Sequence, residues 1–155
     1  MTAQRIDPRG PRFSAGITAL LLLVVIGLAL SGATAAAVVI FAALTALFAW
    51  GAFAGVQRHP YGLLFRALVR PRLQPPIELE DAVPPTFAQG VGFVITLAGV
   101  VLHLAGVPLA LVIAASAAFV AAFLNSVFGY CLGCQIYLLL VRTRVLSRTR
   151  GASAG

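Results

Sequence analysis

The chain has 155 residues, of which 61% are hydrophobic and 10% charged, where an ordinary soluble domain has about 25% charged. A single domain of this length buries only about two-thirds of the surface its unfolded chain exposes. So apolar a composition therefore excludes a water-soluble globule and points to the bilayer as solvent.

The net charge of +7 rests on eleven basic residues. All are arginines, and they form three clusters: Arg5, Arg9 and Arg12; Arg58, Arg66, Arg70 and Arg72; Arg142, Arg144, Arg148 and Arg150. No aromatic residues interleave with them, which argues against a nucleic-acid partner. Charge that sets membrane topology and meets anionic lipid is the better reading.

A crossing helix needs about 20 apolar residues. In chain order, the first is predicted over 13–30 and the second over 34–56, joined at Ser31-Gly32-Ala33-Thr34 by an uncharged turn. Three arginines, an apolar run and Ala33-Thr34-Ala35 also resemble a signal peptide with its cleavage site. The flanks read better as a helical hairpin.

Residues 57–86 form a loop. Within it, Tyr61 to Arg70 predicts a short helix lying in the interface, ended by Pro71. Pro75-Pro76 and Pro84-Pro85 predict extended chain. Glu78, Glu80 and Asp81 are expected to be solvated or paired with Arg70 and Arg72 rather than to act as acid and base.

Between Ala82 and Val141 there is no Asp, Glu, Lys or Arg. This run predicts a third crossing over 87–106, a turn at Ala105-Gly106-Val107-Pro108, and a fourth crossing over 109–126. The remainder, Tyr130 to Val141, is too short to span. It predicts a short helix over about 130–146 that is re-entrant, interfacial or a continuation of the fourth crossing.

With four crossings, every arginine falls on one side and the two opposite turns carry no charge. The positive-inside rule then puts the arginine side and both ends of the chain in the cytoplasm of a cell with an inner (plasma) membrane. The fold class is thus all-α: a single transmembrane domain over 1–155, built as a four-helix bundle with a short C-terminal helix carrying CxxC. Small residues offer packing faces: Gly51 and Gly55 in the second helix, Ala88 and Gly92 in the third, and Ala114, Ala118, Ala122 and Ser126 in the fourth.

The only cysteines are Cys131 and Cys134. At i and i+3 on a helix they share one face, close enough for a disulfide. Gly129 predicts a helix start near Tyr130, which places Cys131 among unsatisfied backbone N–H groups that favour a thiolate. Gly133 keeps approach to the sulfurs open. A redox-active dithiol, a sulfur-carrying thiol, a metal site and two merely buried cysteines all remain open.

A structural zinc takes four ligands where CxxC supplies two. His103 is predicted at the opposite face, and His59, beside a proline in the loop, is expected to be solvated. No metal and no cofactor is expected. Polar residues within the uncharged run are functional candidates. Asn125 is predicted to satisfy backbone freed where the helix breaks, or to orient a substrate together with Gln135; Gln89 is the third.

Ile6-Asp7-Pro8-Arg9-Gly10-Pro11-Arg12-Phe13, then Arg70-Pro71-Arg72-Leu73, Glu80-Asp81 and Phe87-Ala88-Gln89-Gly90-Val91-Gly92, and finally Leu124-Asn125-Ser126-Val127-Phe128-Gly129-Tyr130-Cys131-Leu132-Gly133-Cys134-Gln135-Ile136-Tyr137 together resemble the bacterial integral membrane family catalogued as domain of unknown function 4395. The resemblance covers nearly the whole chain. It implies about four transmembrane helices and the paired cysteines. It also implies thiol chemistry with a thioredoxin-like or sulfurtransferase partner, since such proteins are often encoded near members of the family.

The expected function is thiol–disulfide exchange or sulfur transfer. Cys131 would attack and Cys134 resolve; Asn125 and Gln135 would shape the site, and Phe128 and Tyr130 would limit water access. A non-enzymatic scaffold or subunit is the alternative. A small-solute carrier ranks third, because carriers bring polar groups to the midplane and few are available here.

Overall fold

The computed structural model describes residues 4–143. Its helices are α1 (Arg9–Leu30), α2 (Thr34–Ala54), α3 (Pro60–Leu64), α4 (Val83–Leu104), α5 (Ala110–Phe128) and α6 (Leu132–Arg142). Two short strands, β1 (Arg5–Ile6) and β2 (Glu80–Asp81), pair antiparallel. α1, α2, α4 and α5 are each long and apolar enough to cross a membrane. This is the architecture of a multi-pass membrane protein. The predicted helix beyond Thr143, with Arg144, Arg148 and Arg150, lies outside the described residues.

α1 and α4 each start four residues earlier than predicted. Their first turns hold Pro11 and Pro84-Pro85, the latter expected to keep the chain extended. The first N–H groups of a helix have no intrahelical acceptor, so proline there forfeits nothing. Asp81 contributes to the start of α4: its Oδ1 accepts the N–H of Val83 at 3.0 Å. The loop carboxylates Glu78, Glu80 and Asp81 are exposed, as the solvated alternative predicts, and none forms an ion pair with Arg70 or Arg72. The one ion pair among the described residues is Arg9–Asp7, at 2.8 Å.

The two uncharged turns close through left-handed glycines, Gly32 (φ 89°) and Gly106 (φ 87°). Gly55, at φ 86°, terminates α2. It therefore does not pack as the second glycine of a GxxxG face. The short helix of the loop begins at Pro60, passes through a π-helical stretch, Phe65–Val69, and ends in a single 3₁₀ turn, Arg70–Arg72. Pro71 falls in the first turn of that last piece, so it does not stop the chain there.

The four long helices form a ring in which α1 neighbours α5 and α2, and α4 neighbours α2 and α5. The ring is packed unevenly along its length. Leu22 and Val25 of α1, Ala37, Phe41 and Leu44 of α2, and Leu111, Ala114, Ala115 and Ala118 of α5 form the buried core. All lie in the half nearer the uncharged turns except Leu44, which is at the middle of α2.

Lipid tails supply no hydrophobic drive between helices, so close approach of small residues holds them. Gly99 of α4 is buried against Ala114 and the Phe41 ring. Gly92 lies under the Phe48 ring, and Gly51 under the Gln89 side chain.

At the other end, the N-terminal segment clasps the loop. Arg5 pairs with Asp81 and Ile6 with Glu80. The Ala82 N–H donates to the Gln4 carbonyl at 3.0 Å, and Arg9 donates to the Gln74 carbonyl at 3.0 Å. The Arg9 hydrogen bond also holds the Asp7 carboxyl below the usual carboxylate range. The Arg12 guanidinium reaches the Val127 carbonyl, near the end of α5, at 3.4 Å. The N-terminal segment, the loop and the end of α5 therefore meet at one end of the bundle, as four crossings require.

Ala118 is 5% exposed. Replacing it with Leu overpacks the core and should destabilise the protein by about 1–3 kcal/mol. The check is a lowered melting temperature in detergent; an unchanged one would remove Ala118 from the packing face.

Candidate functional site

The sequence places CxxC after a glycine, and the structure uses that glycine to break the helix. Gly129 is left-handed (φ 66°). Its N–H and that of Tyr130 close onto the carbonyls of Asn125 and Leu124, at 3.1 and 3.2 Å. It is thus the backbone carbonyl of Asn125, not its amide, that satisfies the break. The reversal excludes α6 as a continuation of α5. At 11 residues, α6 is about 16 Å long, well short of a span.

α6 packs against α4. Gly133 meets Ala88, and Tyr137, one turn later, meets the adjacent Phe87 with ring centroids 5.5 Å apart. A Cβ at Gly133 would fall 2.6 Å from the Ala88 Cα. The missing side chain at 133 thus serves the α6–α4 contact, rather than access to sulfur as predicted.

Cys131 is the N-cap of α6, whose first residue, Leu132, is two later than the predicted start. Its Sγ accepts the N–H of Cys134 at 3.3 Å. Its Cα lies 5.2 Å from that of Cys134, and the two sulfurs are bonded as a disulfide. Reduced, Cys131 would keep the same backbone donor facing its sulfur. Such a donor favours the thiolate, the form that attacks disulfides.

The disulfide forms part of the wall of a cavity of about 560 Å³ at the arginine end of the ring. Asn125 of α5, Gln89 of α4 and Gln135 of α6 line it with the cysteines. Apolar wall comes from Ala15, Leu44, Leu47, Phe48, Ala122 and Leu138, with Glu80 and Asp81 among the loop residues that border it. The cavity brings together four of the predicted site residues: Cys131, Cys134, Asn125 and Gln135. It leaves out Phe128 and Tyr130, which are 68% and 48% exposed. Phe128 packs edge-on against Phe123, outside the wall.

His59, expected to be solvated, is 5% exposed. Its Nε2 lies 3.2 Å from the Leu47 carbonyl, and its Nδ1 accepts the Tyr61 N–H at 3.2 Å, capping α3. These partners require the neutral Nε2–H tautomer. Burial holds the His59 pKa below its ordinary value, opposed by the Leu47 hydrogen bond.

His59 and Gln89 line this cavity and also a second, of about 290 Å³, beside Arg5, Arg66 and Arg70. The His-Pro pair in the sequence was the available signal for an N-cap at His59, since proline favours the first helical position. Nothing local announced its burial. Among the described residues, no group of three or more His, Cys, Asp or Glu is placed to hold a metal ion.

The profile of the family described as Domain of unknown function (DUF4395) matches residues 6–142. The chain belongs to this family. The match spans the clasp, the four long helices and the CxxC helix together, so the site and the bundle form one family unit. No curated protein and no solved structure matches the chain.

Two outcomes follow. Gly133→Val should separate α6 from α4, lowering stability by about 1–3 kcal/mol. After reduction it should speed maleimide labelling of Cys134; an unchanged rate would mean that α6 is not held through Gly133. Protonating His59 would cost its Tyr61 and burial interactions. Its folded pKa lies below the ordinary 6.5, so the unfolded chain binds the proton first. Stability should fall as pH drops below about 6.5 and level off beneath the folded pKa. Melting curves of wild type and His59→Gln from pH 8 to the carboxylate range check this, the variant lacking that step.

Proposed function

We propose that this protein is a membrane dithiol–disulfide protein that exchanges electrons or sulfur with a thioredoxin-like or sulfurtransferase partner. The observation that carries the reading is the Cys131–Cys134 pair. Its first sulfur caps a helix and accepts a backbone N–H, and both cysteines line a cavity with Asn125, Gln89 and Gln135. Packing alone would not require the only two cysteines of the chain to stand bonded at a cavity wall. Cys131 acts as the attacking thiolate and Cys134 resolves the mixed disulfide. Asn125 and Gln135 shape the site. The partner docks on the arginine end, where Arg58, Arg66, Arg70 and Arg72 are exposed.

The same charge supports the orientation. Seven arginines of the described residues lie in the N-terminal segment and the loop at the clasped end of the bundle, an eighth, Arg142, ends α6, and the two turns at the other end carry none. The positive-inside rule then puts the clasped end, with the CxxC helix, on the cytoplasmic face of the plasma membrane. A stable disulfide is uncommon in that compartment, which favours a cycling pair over a structural staple.

Mass spectrometry across a redox titration should show the pair passing between dithiol and disulfide. With a sulfur donor, a persulfide should appear on Cys131 but not in Cys131→Ser. After reduction, an impermeant maleimide should label the cysteines in inside-out vesicles and not in intact spheroplasts. Cysteines that never change state at any potential would sink the reading, and labelling from the outer face would reverse the orientation.

A further inference from the structure

The cavity beside the disulfide reaches deep into the bundle. Thr18 and Leu44 both line it. Thr18 is nine residues from the start of α1 and Leu44 ten from the end of α2, so each lies about 13–15 Å along its helix from the clasped end. That is well inside the apolar layer of a bilayer whose core is about 30 Å thick. A folded protein partner cannot follow the cavity there. A small flat molecule can, and its volume is that of an ordinary small-molecule site.

The lining selects among small molecules. Its deep wall is neutral and mostly apolar, with the hydroxyls of Ser14 and Thr18 on α1. The one arginine at the cavity, Arg12, already donates to the Val127 carbonyl, and the His59 Nε2–H faces the Leu47 carbonyl. Of the three side-chain amides in the lining, Gln135 is exposed, which leaves Gln89 on α4 and Asn125 on α5 as the half-buried pair. Neither makes a hydrogen bond with another described residue, and no buried side-chain polar atom among the described residues lacks a partner. Their amides are therefore open to the cavity rather than sealed in the wall. Two neutral donors on different helices suit a ring carrying two carbonyl oxygens, with apolar faces against Phe48 and Leu138.

We infer that the cavity is a binding site for a lipid-soluble quinone, which takes electrons from the Cys131–Cys134 dithiol. This rests on the dithiol reading and names the reactant on its membrane side. The reaction balances with no further reactant. Both S–H bonds break and the S–S bond forms. Two electrons pass from the sulfurs to the quinone ring, and two protons end on its oxygens, giving quinol. Gln89 and Asn125 hold the carbonyl oxygens as they gain charge. The protein thereby links a soluble thiol partner at the clasped end to a two-electron carrier dissolved in the bilayer.

The test uses the full chain in detergent, reduced and freed of reductant, then mixed with a fully substituted ubiquinone analogue that thiols do not arylate. One quinol should form per disulfide. Gln89→Leu and Asn125→Leu should each raise the KM for quinone about tenfold, the worth of one hydrogen bond. Ala122→Phe, which fills the cavity, should slow the reaction further, and Cys131→Ser should abolish it. A wild-type protein that exchanges disulfides with a soluble thiol yet leaves the quinone oxidised would overturn the quinone site and spare the dithiol reading. Failure of both reactions would overturn both. Quinol formation indifferent to Gln89→Leu, Asn125→Leu and Ala122→Phe would place the chemistry outside the cavity and equally overturn the inference.

Discussion

The close approach of α4 to α5 and α2 at Gly99 is the contact on which the rest of the architecture turns. With no Cβ at 99, Ala114 and the Phe41 ring come against the α4 backbone, and the uncharged half of the ring becomes solid. In lipid, helices gain little by hiding apolar side chains from one another, so such contacts must supply the cohesion. Once one half is fixed in this way, the other half can be hollow without falling apart. The cavity, the disulfide and the buried His59 all belong to that second half.

What the sequence revealed and what it concealed follow from this division. The crossings were legible because lipid demands long charge-free runs, and the even count because every arginine fell on alternate segments. Boundaries moved where proline occupied a first turn, as at Pro11 and Pro84, since proline stops a helix only once an N–H is needed. Gly55 was misread because spacing alone cannot tell a packing glycine from one that ends a helix with positive φ. Gly133 was misread for a related reason: the sequence shows that a side chain is missing, not which neighbour uses the space.

The site was legible in its chemistry and not in its surroundings. CxxC after Gly129 marked the helix start to within two residues. Asn125 and Gln135 stood out as polar residues in an uncharged run, and both face the cavity. Phe128 and Tyr130 were chosen by adjacency along the chain. The left-handed turn at Gly129 carries its neighbours off to the outside, which linear adjacency cannot show. His59 lies far from the cysteines in sequence, and only the return of the loop beneath α2 buries it.

The clasp also has a consequence for assembly. Arg5 and Ile6 leave the ribosome long before Glu80 and Asp81, their only strand partners among the described residues. Until that second strand is made, α1 and α2 can insert as a hairpin while the N-terminal backbone stays unpaired in water. Closing so long a loop costs chain entropy that grows only slowly with its length, so the delay is a matter of order rather than of energy. The end of the bundle that holds the disulfide is thus the last to be completed. A chain halted before α4 would lack the cavity's far wall as well as its cysteines, which keeps the thiols from emerging ahead of the pocket that surrounds them.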